Sequence, residues 1–274
     1  MMNETFISVD EMAPPLAPWD GALYAANTGH HRVYDARFLD TLPLRPTDAV
    51  LDLGCGSGDF TAIVAGCVPD GTVIGLDPQP SLLAEARRAA RPNQRFVEGG
   101  VQMLGALFPD DQQLDVVMTR SVLHWVPLRD HPLVLSDAHR LLRTGGWYRA
   151  EFGAAGNIPD VLLLLDDVSS GLGGPTGPWT FADAGTCLEL VEQAGFDLAP
   201  GFIRMTPQRR TFSREALHGW FRSQAVQAYT TAMDDVAARD FTSEVEARFD
   251  ELARWDGSFD QTFVRMDVLA QRAG

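Results

Sequence analysis

The chain has 274 residues, with 37 acidic side chains against 22 basic ones and a formal net charge of -15. All 22 basic residues are arginine, which excludes chemistry that needs a lysine, such as a Schiff base or a Walker-type phosphate loop. The acidic balance argues against a nucleic-acid partner, because binding a polyanion normally requires a basic stripe.

The cysteine content and the hydropathy pattern indicate the cellular compartment. Cys55, Cys67 and Cys187 have no framework spacing, which favours a reducing compartment. No apolar run approaches the roughly 20 residues that span a bilayer, and the acidic N-terminus lacks an apolar signal core. We therefore expect a cytoplasmic monomer or homodimer that does not bind a membrane.

Strands and helices alternate along the middle of the chain. Irregular and loosely helical residues come first, and helical patterns then separate a series of short apolar runs. Strands are predicted at 49–54, 72–77, 95–99, 114–120 and 147–152. This alternation predicts a parallel sheet that is covered by helices on both faces.

The pattern loosens after residue 152. A Gly- and Pro-rich stretch, an amphipathic helix at 186–196 and a candidate strand at 202–212 precede a long helical region. Residues 262–272 alternate between apolar and polar, as a closing half-buried strand does. The predicted organisation is an arm that covers the active site (1–45), an α/β core (46–212) with an insertion at 153–182, a helical lid (213–258) and a closing strand (259–274).

A glycine-rich loop, Gly54–Gly58, lies between a buried strand and a helix, where exposed amide groups can approach a ligand. Its spacing is not that of the dinucleotide fingerprint, because position 59 is Asp, and Asp52 before the loop suits a cationic ligand. Asp77 ends the second strand, where a carboxylate can accept both hydroxyls of a ribose. The alternative is a turn-forming Asp before Pro78.

Five segments carry a resemblance to a known family. VLDLGCGSGDFT, VIGLDPQPSLL, FVEGGVQML, LDVVMTRSVLHWVP and HRLLRTGGWYRAEF closely resemble, in order, the motifs of class I S-adenosylmethionine-dependent methyltransferases. The C-terminal part is similar to small-molecule members such as the trans-aconitate and malonyl-carrier-protein methyltransferases. The resemblance implies S-adenosylmethionine as cofactor and a Rossmann-like sheet of seven strands, the last antiparallel, with helices on both faces and a helical lid.

The resemblance also implies the cofactor site. The glycine loop would pack against the methionine part, Asp77 would hold the ribose, and Pro78 and Gln79 would lie beside the adenine. Gly100 replaces the Asp that many relatives have there, so Gln102, a backbone carbonyl or a water would accept from the adenine amino group. The predicted contacts are Tyr24, Asn27, His31, Asp52, Gly54, Cys55, Gly56, Gly58, Asp77, Pro78, Gln79, Gly100, Val101, Gln102, Arg120 and Ser121.

His124 is the candidate catalytic residue, because it follows the fourth strand at the edge where an open α/β sheet binds its ligands. It could take a proton from the acceptor or, as a donor, orient a carboxylate; simple packing is the alternative. The candidate substrate contacts are Trp19, Tyr24, Trp125, Glu151, Trp179 and Trp220. Glu151 is equally compatible with a surface-facing strand end.

Three arginines of the candidate strand at 202–212, Arg204, Arg209 and Arg210, could bind an acidic substrate, although an edge position favours surface charges. His30 and His31 have no partner at metal-ligand spacing, so no metal site is predicted.

These residues predict transfer of a methyl group to an oxygen, nitrogen or carbon atom of a small molecule in a largely apolar, lidded pocket. The alternative is a lyase, cyclase or isomerase that uses the sulfonium of the cofactor as a fixed charge. A dinucleotide oxidoreductase is disfavoured by the glycine spacing.

Overall fold

Seven strands form one mixed sheet in the computed structural model, which describes residues 19–27, 35–109 and 111–274. The strand order is β3-β2-β1-β4-β5-β7-β6. Neighbouring strands from β3 to β5 pair in parallel, and β7 is antiparallel to both β5 and β6, which confirms the predicted topology. The strands are β1 (Ala49–Leu53), β2 (Thr72–Asp77), β3 (Gln94–Glu98), β4 (Leu114–Arg120), β5 (Leu142–Gly153), β6 (Phe196–Phe212) and β7 (Phe259–Arg272).

Helices cover both faces of this sheet. Several of them begin at an Asp whose carboxylate accepts a hydrogen bond from a free amide of the first turn, as Asp20, Asp183 and Asp234 do. The helices are α1 (Gly21–Ala26), α2 (Asp35–Thr41), α3 (Asp59–Cys67), α4 (Pro80–Arg88), α5 (Leu104–Leu107), α6 (His131–Leu141), α7 (Pro159–Gly171), α8 (Ala184–Gln193), α9 (Arg214–Trp220), α10 (Gln227–Thr230) and α11 (Asp235–Leu252).

The central strands are buried on both faces because their side chains alternate across the sheet. Leu51 and Leu53 of β1 pack in the core that α6 and α8 complete. Val50, which precedes Leu51, points to the opposite face, into a core that includes residues of α2 and α3. This two-sided burial explains why the strands read as continuous apolar runs in the sequence.

The last two strands are longer than their sequence patterns indicate. β6 begins at Phe196 and β7 at Phe259, and the two pair from Phe212 opposite Phe259 down to Phe196 opposite Arg272. Residues 213–258, here called the helical insertion, connect them. Buried aromatic side chains of the insertion pack with Phe259 and Phe263, so the hairpin carries a core of its own above the sheet.

The junction of α6 and β5 also differs from the sequence pattern. The pattern predicts a helix over 131–142 with Thr144-Gly145-Gly146 as its stop, but α6 ends at Leu141 and β5 begins at Leu142 instead of at 147. The glycines taken as a helix stop lie within an irregularity of β5, where Gly145 has a φ of +76° and the register with β4 shifts. A glycine in the left-handed region fits a bulge as well as a helix end, which is why the pattern was ambiguous.

Two absences hold for the described residues. None of their helices is both long and apolar enough to cross a membrane. They also contain no group of three or more His, Cys, Asp or Glu side chains that could hold a metal ion.

Candidate active site

A cavity of about 170 Å³ lies where β1, β2, β4 and β5 end, below the helical insertion. Two other cavities walled by described residues hold about 10 Å³ each, roughly the room of one water. Thirteen predicted site residues line the large cavity: Trp19, Tyr24, Gly54, Gly56, Asp77, Pro78, Gln79, Arg120, Ser121, His124, Trp125, Trp179 and Trp220.

The glycine loop turns sharply at the end of β1. Gly54 and Gly56 have φ angles of +72° and +55°, a region that side chains rarely adopt. A Cβ atom on Gly54 would lie 2.1 Å from the side chain of Val122. The loop therefore needs glycine to bring its backbone to the cavity wall.

Asp77 is fixed at the end of β2 by two backbone amides. Its Oδ2 accepts from the Gly56 N–H and its Oδ1 from the Gln79 N–H, both at 2.9 Å. Burial raises the pKa of Asp77 to about 6, although the two amide hydrogen bonds act in the opposite direction. Each carboxylate oxygen keeps a further lone pair, so the group can accept from a pair of neighbouring hydroxyls on a ligand.

Two residues of the N-terminal segment, Trp19 and Tyr24, line this end of the cavity. Ser81 Oγ donates to the Trp19 carbonyl at 2.5 Å, and the Trp19 N–H donates to Gln79 Oε1 at 3.3 Å. Tyr24 packs edge-on against Trp19, and burial together with the Asp77 carboxylate raises the pKa of its phenol. The glycine loop, the fixed carboxylate and the aromatic cover together fit a nucleoside with a cationic tail, as the resemblance implies.

Some predicted cofactor contacts are not brought to the cavity wall. Asp52 accepts from the Thr61 hydroxyl at 2.6 Å, and burial raises its pKa to about 6. Asn27 donates to the Leu23 carbonyl on its own helix. His31 lies outside the described residues. The other predicted contacts away from the wall are Cys55, Gly58, Gly100, Val101 and Gln102.

His124 is held as a neutral hydrogen-bond donor. Its Nδ1 accepts from the Gly153 N–H at 3.1 Å, so the proton of the neutral ring must be on Nε2. Burial, and after it the charge of Arg265, lowers the pKa of His124 well below its usual value. The ring stacks on Phe181 with centroids 5.9 Å apart. Of the two roles that the sequence left open, this arrangement favours orienting an acceptor over taking its proton.

Two arginines of the wall share a buried partner. Arg265 Nε donates to Glu151 at 2.5 Å and its Nη2 donates to Ser121 Oγ at 2.8 Å. Arg120 lies 3.6 Å from Glu151 and pairs with Asp35 at 2.6 Å. Although burial opposes it, the charges of Arg265 and Arg120 lower the pKa of Glu151.

Glu151 lies neither on the wall of the large cavity nor at the surface. It is only 3% exposed, so it is not a surface-facing strand end, and it lies behind the arginines instead of on the wall of the large cavity. The carboxylate therefore meets the cavity only through Arg120 and Arg265.

Ser121 adopts an uncommon backbone conformation beside this pair. Its φ is +57°, and its N–H donates to the Glu151 carbonyl at 2.7 Å. Such a conformation at a non-glycine residue disfavours folding by about 1–3 kcal/mol and persists where the surroundings over-determine it. Here the hydrogen bond to the Glu151 carbonyl and the contact with Arg265 hold the Ser121 backbone in this conformation. Ser121 lines the cavity as a result.

Several residues that line the large cavity were not predicted from the sequence. Arg210 was interpreted as a surface charge, yet it lines the cavity, while neighbouring Arg209 is exposed and pairs with Asp260. Strand alternation would separate the two arginines, but not say which faces inward. The other missed residues are Leu82, Val122, Asn157, Ile158, Phe181, Gln224, Phe263 and Arg265.

Aromatic rings form much of the cavity wall. Trp125 meets Trp19 and Trp179 edge-on, with centroids 5.6 and 5.1 Å apart. Trp220 reaches the wall from the helical insertion. All four predicted tryptophans thus come together around one cavity.

Comparisons with known proteins agree with this geometry. The methyltransferase domain family matches residues 50–146. The chain is 30% identical to a trans-aconitate 2-methyltransferase of Deinococcus radiodurans, over 77% of this chain and 84% of that protein. It is 32% identical to a trans-aconitate 2-methyltransferase of Escherichia coli O157:H7, over 94% of this chain and 99% of that protein.

A solved structure shows the same fold. It is geranyl diphosphate C-methyltransferase from Streptomyces coelicolor A3(2), in complex with Mg²⁺, geranyl diphosphate and S-adenosyl-L-homocysteine. The TM-score is 0.52 at 14% identity, over 93% of this chain and 84% of that chain. At this identity the likeness speaks for the fold alone.

Proposed function

Because the chain belongs to the class I S-adenosylmethionine-dependent methyltransferases that act on small molecules, we propose that it methylates a carboxylate oxygen of its acceptor, forming a methyl ester. The observation that carries the proposal is the chemistry of the cavity wall. It offers cations and hydrogen-bond donors near the cofactor loop, but its described residues offer no base for an acceptor.

Three lining groups of the described residues could in principle act as a base, and each is otherwise engaged or protonated. The Nδ1 lone pair of His124 is used by the Gly153 amide, and its pKa is lowered. The phenol of Tyr24 has a raised pKa and stays protonated. Asp77 belongs to the cofactor end. A hydroxyl or amine acceptor usually needs a base, whereas a carboxylate is already a nucleophile at neutral pH.

The roles of the protein groups follow from their positions. When bound, the cofactor supplies an electrophilic methyl group, which a carboxylate can take without releasing a proton. Asp77 holds the ribose hydroxyls, and the glycine loop packs against the methionine part. Arg265 and the Nε2–H of His124 hold one carboxylate and align its second oxygen, since fixing the reacting atoms can supply much of the rate enhancement.

The relatives support an acidic acceptor. The proteins from Deinococcus radiodurans and Escherichia coli are named for trans-aconitate, which carries carboxylates. The cavity of this chain has three arginines in its wall, namely Arg120, Arg210 and Arg265.

The N-terminal arm and the helical insertion act as a cover in this proposal. The arm contributes Trp19 and Tyr24 to the wall, and the insertion contributes Trp220 and Gln224. Gln224 Nε2 also donates to the Asn27 carbonyl at 3.2 Å, which joins the two parts directly. Such a cover would exclude water from the reaction. It would also leave no room for a folded protein as acceptor.

The test is transfer of a labelled methyl group to matched acceptors. The purified protein is incubated with methyl-labelled S-adenosylmethionine and with carboxylic acids, and in parallel with phenols and amines of the same carbon skeletons. We expect the label in an ester that mild alkali hydrolyses. Label found only in alkali-stable ethers or amines would overturn the proposal.

A further inference from the structure

The acceptor half of the cavity is the part lined by Arg120, Arg210 and Arg265, as distinct from the part lined by the glycine loop and Asp77. The charges around this half nearly cancel. Arg120 and Arg265 lie against Asp35 and Glu151, so two cations meet two anions. Arg210 is the remaining charged wall residue of this half, and it adds at most one positive charge whatever else it contacts. Among the described residues, the acceptor half therefore compensates about one carboxylate.

The polar surface is also small. Arg265 of β7 donates to Ser121, which follows β4, and both line the cavity together with His124. A single carboxylate accepts about four hydrogen bonds, so a small polar surface is enough for one such group. Any further carboxylate on the same molecule would lose its hydration and lie against aromatic side chains. Such desolvation is strongly unfavourable for an unpaired charge.

Aromatic and aliphatic side chains surround this polar end. Phe263 lies on β7 two residues before Arg265, on the same face of the strand, and the Arg210 guanidinium carbon is 5.6 Å from its ring centre. Phe181 stacks on His124, and Trp179 packs edge-on against Trp125. Flat rings on several sides suit a planar or extended apolar group.

We propose that the acceptor is a monocarboxylic acid with an aromatic or extended apolar body, and not a tricarboxylate such as trans-aconitate. This inference rests on the proposed function and narrows it. The carboxylate lies at Arg265 and Ser121, and the body lies between Phe263, Phe181 and Trp179.

The experiment compares direct binding. The protein is saturated with S-adenosylhomocysteine and titrated calorimetrically with 3-phenylpropionate, octanoate, trans-aconitate and the neutral 3-phenylpropionamide. We expect the two monoacids to bind at least roughly tenfold more tightly than trans-aconitate. The additional carboxylates of trans-aconitate would lie unpaired against apolar surface. We expect the amide to bind more weakly than its acid, because it lacks the negative charge that Arg210 compensates and that strengthens hydrogen bonds from Arg265.

A variant pair locates the binding surface. Trp179→Leu removes a ring of the wall and should weaken 3-phenylpropionate binding roughly tenfold, while leaving S-adenosylhomocysteine binding intact as a check on folding. Trp255→Leu is the matched control, because Trp255 is 98% exposed and away from the cavity. If the Trp179→Leu variant no longer binds S-adenosylhomocysteine, Phe181→Leu serves as the second test of the wall.

The outcomes separate this inference from the function beneath it. Equal or tighter binding of trans-aconitate, or no binding of either monoacid, overturns the inference and leaves ester formation standing. Equal effects of Trp179→Leu and Trp255→Leu also overturn it. Labelling of phenols or amines alone, in the transfer assay above, overturns the proposed function instead.

Discussion

Cofactor binding should weaken as the pH falls below about 6, because a proton on Asp77 competes with the ribose hydroxyls. Burial raises the pKa of this carboxyl to about 6 in the free protein. The ionised form is the better acceptor, so binding is complete above this pKa and is lost below it. The apparent dissociation constant should therefore rise about elevenfold between pH 7.5 and pH 5.

A matched pair of carboxylates makes this prediction specific. Asp52 has a pKa of about 6 as well, but its side chain accepts from Thr61 and does not reach the cavity wall. Asp77→Asn should weaken cofactor binding by about 3 kcal/mol, or roughly 150-fold, since it removes charge-assisted hydrogen bonds. It should also abolish the pH dependence, whereas Asp52→Asn should keep it.

The assay is calorimetric titration of each variant with S-adenosylhomocysteine at several pH values between 5 and 7.5. Two results would refute the reasoning: a wild-type affinity that stays constant over this range, or an Asp77→Asn variant that still loses affinity toward pH 5. The melting temperature of each variant, measured without ligand at every pH, separates lost binding from lost folding.

Three further substitutions test the site. His124→Phe should raise the acceptor KM about tenfold and lower kcat by no more than about tenfold, because Arg265 still holds the carboxylate; a kcat loss of 10²-fold or more would instead indicate a base. Gly54→Ala should destabilise the fold by more than about 2 kcal/mol in urea unfolding, because its Cβ would lie 2.1 Å from a side chain at a φ of +72°. Gly171→Ala, with nothing within 4 Å, should not destabilise, and equal effects would contradict the steric argument. Arg210→Ala should weaken binding of an acidic acceptor roughly tenfold, whereas the exposed Arg209→Ala should not, as measured by titration.

The cofactor half of the site could be predicted because its residues are consecutive. The glycine loop directly follows β1, and Asp77 ends the next strand, so strand, turn and helix patterns place them at one edge of the sheet. The position of Asp77 and the left-handed turn at Gly54 are local consequences of backbone geometry, whereas the contact that excludes a Cβ atom at position 54 comes from Val122, which follows β4. Even there, the partner of Asp52 was not predictable, because Thr61 points back from the following helix.

The acceptor half could be predicted only as a set of residue types. The four tryptophans were identified as wall candidates, but Arg265 was missed, since its partner Glu151 is 114 residues away. Glu151 was open between pocket and surface because a strand end alone does not reveal what packs behind it. For Arg210, alternation along β6 predicts two opposite faces, and only the pairing with β7 decides which one meets the cavity.

The sequence by itself determined the sheet, the cofactor loop and the absence of lysine chemistry, because these depend on composition and on contacts between neighbouring segments. The tertiary structure decided the state of His124 and the near-cancellation of charge around the acceptor. Both depend on long-range contacts: the Gly153 amide selects the tautomer of His124, and Glu151 and Asp35 offset Arg265 and Arg120. A linear pattern carries no information on which distant groups share one buried space.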